Sequence, residues 1–125
     1  MSIDYKRKKE YQDPDNLCEA RIDMSPNVYH DGRVISWSIM QGEEEATIGC
    51  MSPGEYHFER GVRAERITIL TGNAEVSVDG ERWRALGPED DFHVWFGQKA
   101  FTIRAVTPIS YHCRYFATDP DEDGE

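Results

Sequence analysis

Apolar and polar residues alternate along most of this chain in short runs that are too brief for amphipathic helices. The runs are 33–40, 46–51, 55–59, 65–71, 74–79, 82–86, 92–96, 100–106 and 110–117. Within them, period-two patterning puts Ile67 and Ile69 on one face, and Tyr111, Cys113 and Tyr115 on one face of the last run. Turn formers separate the runs: Pro53-Gly54, Gly72-Asn73, Asp79-Gly80, Gly87-Pro88 and Thr107-Pro108. Asp79-Gly80, between Val76-Ser77-Val78 and Arg82-Trp83-Arg84, is the strongest hairpin signal. No amphipathic helix is expected after residue 25. About nine short strands in one 125-residue domain predict an all-β, double-sheet jelly-roll barrel.

The two ends read differently. Lys6-Arg7-Lys8-Lys9 and the turn Asp13-Pro14-Asp15-Asn16 suggest an amino-terminal arm over 1–24, a solvated basic stretch that is mobile or a short helix. The barrel domain then occupies 25–118, and 119–125 is an acidic, solvated tail. The chain carries 24 acidic against 14 basic residues, a net charge of −10. That field repels nucleic acid and anionic membranes, so neither is expected as a partner. No apolar stretch is long enough to span a bilayer, and no signal core opens the chain, so a cytoplasmic location is expected. Three cysteines, Cys18, Cys50 and Cys113, make no paired framework, and Cys50 and Cys113 are expected as small buried core residues.

Several catalytic signatures are missing from the sequence: a Gly-rich phosphate loop, a Gly-x-Ser-x-Gly elbow and a Cys-x-x-Cys pair. His30, His57, His93 and His112 are far apart, and the alternation turns His57 and His93 away from the apolar face. Neither a metal nor a cofactor is expected. Glu65 shares parity with Ile67 and Ile69, so it faces inward if they do, and a carboxylate there needs partners. A rim salt bridge to Arg63 or Arg66 is the alternative. Arg114 has parity opposite to Tyr111, Cys113 and Tyr115, so one of the two sets faces out.

Four blocks in order carry a family resemblance. They are Asn27-Val28-Tyr29-His30-Asp31-Gly32-Arg33-Val34-Ile35-Ser36, Gly49-Cys50-Met51-Ser52-Pro53-Gly54-Glu55-Tyr56-His57-Phe58, the Glu-x6-Gly stretch 65–72, and Tyr111-His112-Cys113-Arg114-Tyr115-Phe116. Together they span about residues 27–116 and resemble the pyrimidine/purine nucleoside phosphorylase family. The resemblance implies a minimal cupin, a double-stranded β-helix, working as a homodimer on a nucleoside and inorganic phosphate. Within these blocks Glu65 and Arg114 are the catalytic candidates and Tyr29, Arg33, Tyr56, Tyr111 and Tyr115 the substrate-binding candidates, with core packing the alternative for each tyrosine and a solvent-exposed charge the alternative for Arg33 and Arg114. The usual cupin His-x-His before Glu65 is replaced by Glu59-Arg60-Gly61-Val62-Arg63-Ala64, and a later histidine position falls near Ala100-Phe101, so the resemblance implies a metal-free pocket. Trp95-Phe96-Gly97 departs from the family pattern near the expected pocket rim, which bears on substrate range.

Nucleoside phosphorolysis passes through an oxocarbenium-like sugar, as glycoside cleavage does. Its site must hold phosphate, grip ribose hydroxyls and stabilise the departing base. Arginine forks, a carboxylate and aromatic rings suit those tasks in turn. Two other classes compete: a non-catalytic cupin module binding a sugar or nucleotide, and a metal-dependent cupin enzyme, which the missing His-x-His disfavours.

Overall fold

The structure, a computed structural model, describes residues 20–117. Eleven strands follow one another: β1 Arg21–Ile22, β2 Asn27–Tyr29, β3 Val34–Gln41, β4 Glu44–Met51, β5 Gly54–Glu59, β6 Ala64–Thr71, β7 Ala74–Val78, β8 Arg84–Leu86, β9 Asp91–Val94, β10 Ala100–Ala105 and β11 Ile109–Phe116. A 3-10 turn, His30–Gly32, links β2 to β3. Among the described residues there is no α-helix, and none long and apolar enough to cross a membrane.

All strand pairings are antiparallel and form two sheets. The larger runs β1-β3-β4-β11-β6-β9, with β2 also on β3; the smaller runs β5-β10-β7-β8. This is the double-sheet jelly roll the alternation predicts. Each of the nine sequence runs becomes a strand. The two short strands β1 and β2 are additional. Their sequence, interrupted by Asp23 and Pro26, has no alternation of its own. They are held by β3, through registers such as Ile22↔Ile39 and Val28↔Ile35. Arg21–Ile22 therefore pairs inside the stretch expected as an arm, whereas residues 1–19 and the acidic tail lie outside the described residues.

The core sits between the sheets. β3, β4, β6 and β11 send in Val34, Met51, Ile67, Ile69, Tyr111 and Cys113; the smaller sheet answers with Tyr56, Val76, Phe101 and Ile103. Phe92 is fully buried edge-on to Phe101, whose other neighbour, Phe58, stacks at 5.3 Å between centroids. Burying each large side chain contributes about 1.5–3 kcal/mol, so this layer dominates stability. Cys113 is buried as expected. Cys50 is exposed, a correction to the expected buried pair: it occupies the outward parity of β4, opposite Ile35 and Ser110.

Two turns show why their residues are needed. Asp79 and Gly80 both have positive φ, 53° and 76°, and the Glu81 N–H donates to the Val78 carbonyl at 2.9 Å. The Asp79 carboxylate also accepts from the Lys99 and Ala100 N–H groups at 2.9 Å, pinning the start of β10. Those two bonds hold the Asp79 carboxyl below its ordinary value. Gly72, which ends the Glu-x6-Gly stretch, has φ +91°, and a Cβ there would collide with the Pro108 carbonyl and Ile109. Gly72→Ala is therefore expected to cost roughly 2–4 kcal/mol, from left-handed strain plus overpacking. Urea denaturation measures it. A loss under about 0.5 kcal/mol, the size of an ordinary surface change, would contradict the close approach.

Candidate functional site

A cavity of about 190 Å³ opens between the sheets. A single water needs only about 10–15 Å³ by a comparable measure, so the space suits an organic ligand. Its apolar wall is Met51, Phe58, Ile67, Phe101 and Ile103. Its polar groups are few: Ser36, Thr47, Glu65, Tyr111, Cys113 and Tyr115. Exposed Tyr29 and Glu59 mark the mouth. Such a lining, mostly apolar with a few convergent polar groups, is that of a small-molecule site.

Strand parity builds the polar cluster. β6 and β11 pair in register Glu65↔Tyr115, Ile67↔Cys113 and Ile69↔Tyr111, and these six residues face inward. The Glu65 carboxylate accepts from the Cys113 thiol at 3.6 Å and from the Gly61 backbone N–H. Burial raises its carboxyl above the ordinary value, while those two donors and the nearby charges of Arg60 and Arg63 pull the other way without cancelling the rise. The thiol of Cys113 is pushed up by burial and then by the Glu65 charge, so it stays protonated and donates. Burial likewise raises the phenols of Tyr111 and Tyr115. Tyr115 Oη lies 3.4 Å from Thr47 Oγ1, and Tyr111 bonds Ser36. The cluster is thus one half-buried carboxyl among neutral hydrogen-bonding groups.

The rim salt bridge considered for Glu65 is not what its neighbours form. Arg63 pairs with Glu45 at 3.0 Å, and Arg66 with Asp91 at 2.8 Å.

Of the residues singled out from the sequence, Glu65, Tyr29, Tyr111 and Tyr115 come together at the cavity. Three do not. Arg114 occupies the outward parity of β11 and reaches Glu44 at 3.3 Å, on the far face of the sheet. Tyr56 is only 2% exposed, a core residue whose hydroxyl donates to the Ser52 carbonyl at 2.6 Å. Arg33 donates to the Pro53 carbonyl at 2.6 Å and lies over the Tyr56 ring, which ties it to the β4–β5 turn. Ser36, quoted from the sequence only as the end of a matched block, and Thr47, not singled out, also line the cavity; their signal was a hydroxyl at an inward position of β3 and β4.

The histidines are dispersed. His30 packs on Tyr56 and Phe58, His57 bonds Thr102 on the outer surface, and His93 stacks on Trp95 at 4.4 Å. Among the described residues, no three His, Cys, Asp or Glu side chains gather as metal ligands.

A jelly-roll barrel with a ligand-sized cavity between its sheets defines the cupin class of small β-proteins. Comparison with known proteins agrees: the structure resembles the cupin domain of Schizosaccharomyces pombe Cnp3, with TM-score 0.59, 20% identity, and 80% of this chain and 74% of that one covered. It also resembles a protein of unknown function from Vibrio parahaemolyticus, with TM-score 0.69 and 30% identity over 77% of this chain and 99% of that one. The sequence profile of the pyrimidine/purine nucleoside phosphorylases matches residues 24–115. A pyrimidine/purine nucleoside phosphorylase from Rhodopirellula baltica is 36% identical over 93 residues, which cover 74% of this chain and 99% of the relative. The chain belongs to the pyrimidine/purine nucleoside phosphorylase family.

The raised carboxyl of Glu65 sets a stability prediction. Below the ordinary value of 4.5, Glu65 is protonated in both folded and unfolded chains. Between 4.5 and its raised folded value the folded chain holds the extra proton, so this group's contribution to stability declines as pH rises. Glu65→Gln removes that decline. Thermal unfolding should show the mutant gaining on wild type as pH rises from 4 to 8. A mutant that loses ground over that range would mean the carboxylate is a stabilising ion-pair partner.

Proposed function

We propose that this protein is a nucleoside phosphorylase that cleaves purine and pyrimidine nucleosides with inorganic phosphate, giving free base and ribose 1-phosphate. One observation carries the reading: in a chain of this family, an inward carboxyl, Glu65, stands among Tyr29, Tyr111 and Tyr115 in a largely apolar cavity. Glu65 accepts hydrogen bonds from the ribose hydroxyls and orients the sugar. Its charge also favours the oxocarbenium character that develops at C1′. A phosphate oxygen forms the new bond to C1′ as the C1′–N bond breaks. The electron pair of that bond leaves with the base, which takes up a proton. Tyr111 and Tyr115, held neutral by burial, keep phenolic O–H groups to donate to the sugar or to the leaving base. Tyr29, at the mouth, offers a ring face to the base.

The reaction as written needs no metal or cofactor. The homodimer that the family resemblance implies has a surface to use, since Ile22, Met24 and Val28 are exposed around β1 and β2.

The test is phosphate-dependent release of base from a panel of nucleosides. Charge-assisted hydrogen bonds are worth about 1.5–3 kcal/mol, and 1.4 kcal/mol is tenfold in rate. Glu65→Gln should therefore lower kcat/KM by roughly ten- to a hundredfold while the protein stays folded. Wild-type inertness across the panel, with sugars or nucleotides still bound, would favour a binding module.

A further inference from the structure

An anion entering beside Glu59 and Glu65 calls for a nearby cation, and neither Arg33 nor Arg114 lines the cavity. Two other arginines, on the β5–β6 loop, do not line the cavity either, but both act on the Glu65 carboxyl. Arg60 has its donors committed to backbone: Nε to Gln98 at 2.8 Å, Nη1 to Gly61 at 2.9 Å and Nη2 to Phe96 at 3.4 Å. Its guanidinium also lies over the Phe96 ring. Arg60 ties the β5–β6 and β9–β10 loops together, and contributes positive charge more than free donors.

Arg63 is placed differently. Its guanidinium lies 4.5 Å from the ring centroid of Tyr115, which lines the cavity and is the cross-strand partner of Glu65. Cross-strand partners hold their Cβ atoms about 4.5–5.5 Å apart, so a guanidinium stacked on Tyr115 is near enough to act on the Glu65 carboxyl. The side chain is stacked, hence oriented, yet 40% exposed. Its ion pair is a single contact to Glu45, itself 37% exposed. A half-exposed pair of this kind is worth about 0–1 kcal/mol, and phosphate offers the same fork more charge and two oxygens.

We propose that Arg63 binds the attacking phosphate at the cavity mouth, and that Glu45 competes with phosphate for the same guanidinium. This rests on the phosphorolysis reading for its role in turnover, but the binding itself stands on the geometry. A local cation is needed here because the net charge of −10 and the carboxylates Glu59 and Glu65 oppose an anion's approach.

Two measurements on the full chain separate the claims. Titration with inorganic phosphate alone, followed by calorimetry, reads binding; steady-state phosphorolysis with phosphate varied reads its use. Arg63→Gln should abolish measurable phosphate binding and raise the phosphate KM at least tenfold, with the nucleoside KM within about twofold. Arg63→Lys, which keeps charge but loses the fork, should fall between. Glu45→Gln should tighten phosphate binding by a few fold. Wild type that binds phosphate through Arg63 yet releases no base would refute phosphorolysis and keep the anion site. Equal phosphate binding in wild type and folded Arg63→Gln, or none in wild type, would overturn the inference.

Discussion

The pairing of β6 with β11 is the constraint on which everything else rests. In the register Glu65↔Tyr115, Ile67↔Cys113, Ile69↔Tyr111, one face of each strand supplies both the apolar core and the polar groups of the cavity. Side chains alternate with period two, so a slip of one residue would replace this set with Arg66, His112 and Arg114. The core would be lost together with the site. The left-handed Gly72, where a Cβ would collide with the Pro108 carbonyl and Ile109, secures that register at the end of β6. Fold and chemistry are therefore set by the same hydrogen-bond ladder.

Electrostatics follow from that placement. A carboxyl carried inward by strand parity loses hydration, and the structure answers with donors that stay neutral: a buried thiol and a backbone N–H. Guanidinium charge is kept to the loop outside, on Arg60 and Arg63, where it acts on Glu65 without a direct ion pair to it. The result is a carboxylate with hydrogen-bonding capacity left for a ligand. Arginine fully paired to Glu65 would have used that capacity.

Much of this was readable in the sequence because alternation is a local signal. The nine runs, the Asp79-Gly80 hairpin and the shared parity of Glu65 with Ile67 all follow from neighbouring residues. What local patterning could not supply was the choice between faces. Arg114 and Tyr115 are adjacent, and the burial of Tyr111 and Cys113 between the sheets sent Arg114 outward. Arg33 and Tyr56 matched a family pattern, yet both are engaged with the β4–β5 turn, Arg33 through Pro53, 20 residues on, and Tyr56 through Ser52. Strands β1 and β2 exist only through β3, and so left no pattern of their own. Nothing local marked Thr47, and Ser36 stood only at the end of a matched block; the cavity gathers both.

The most direct test of the account is a crystal structure with a C-nucleoside, whose carbon–carbon glycosidic link resists phosphorolysis. The ligand is expected between the two sheets, with ribose hydroxyls within hydrogen-bond distance of the Glu65 carboxylate and the base near Tyr29. A nucleoside bound instead on the outer face beside Arg114, or in the groove lined by Trp83 and Trp95, would contradict it.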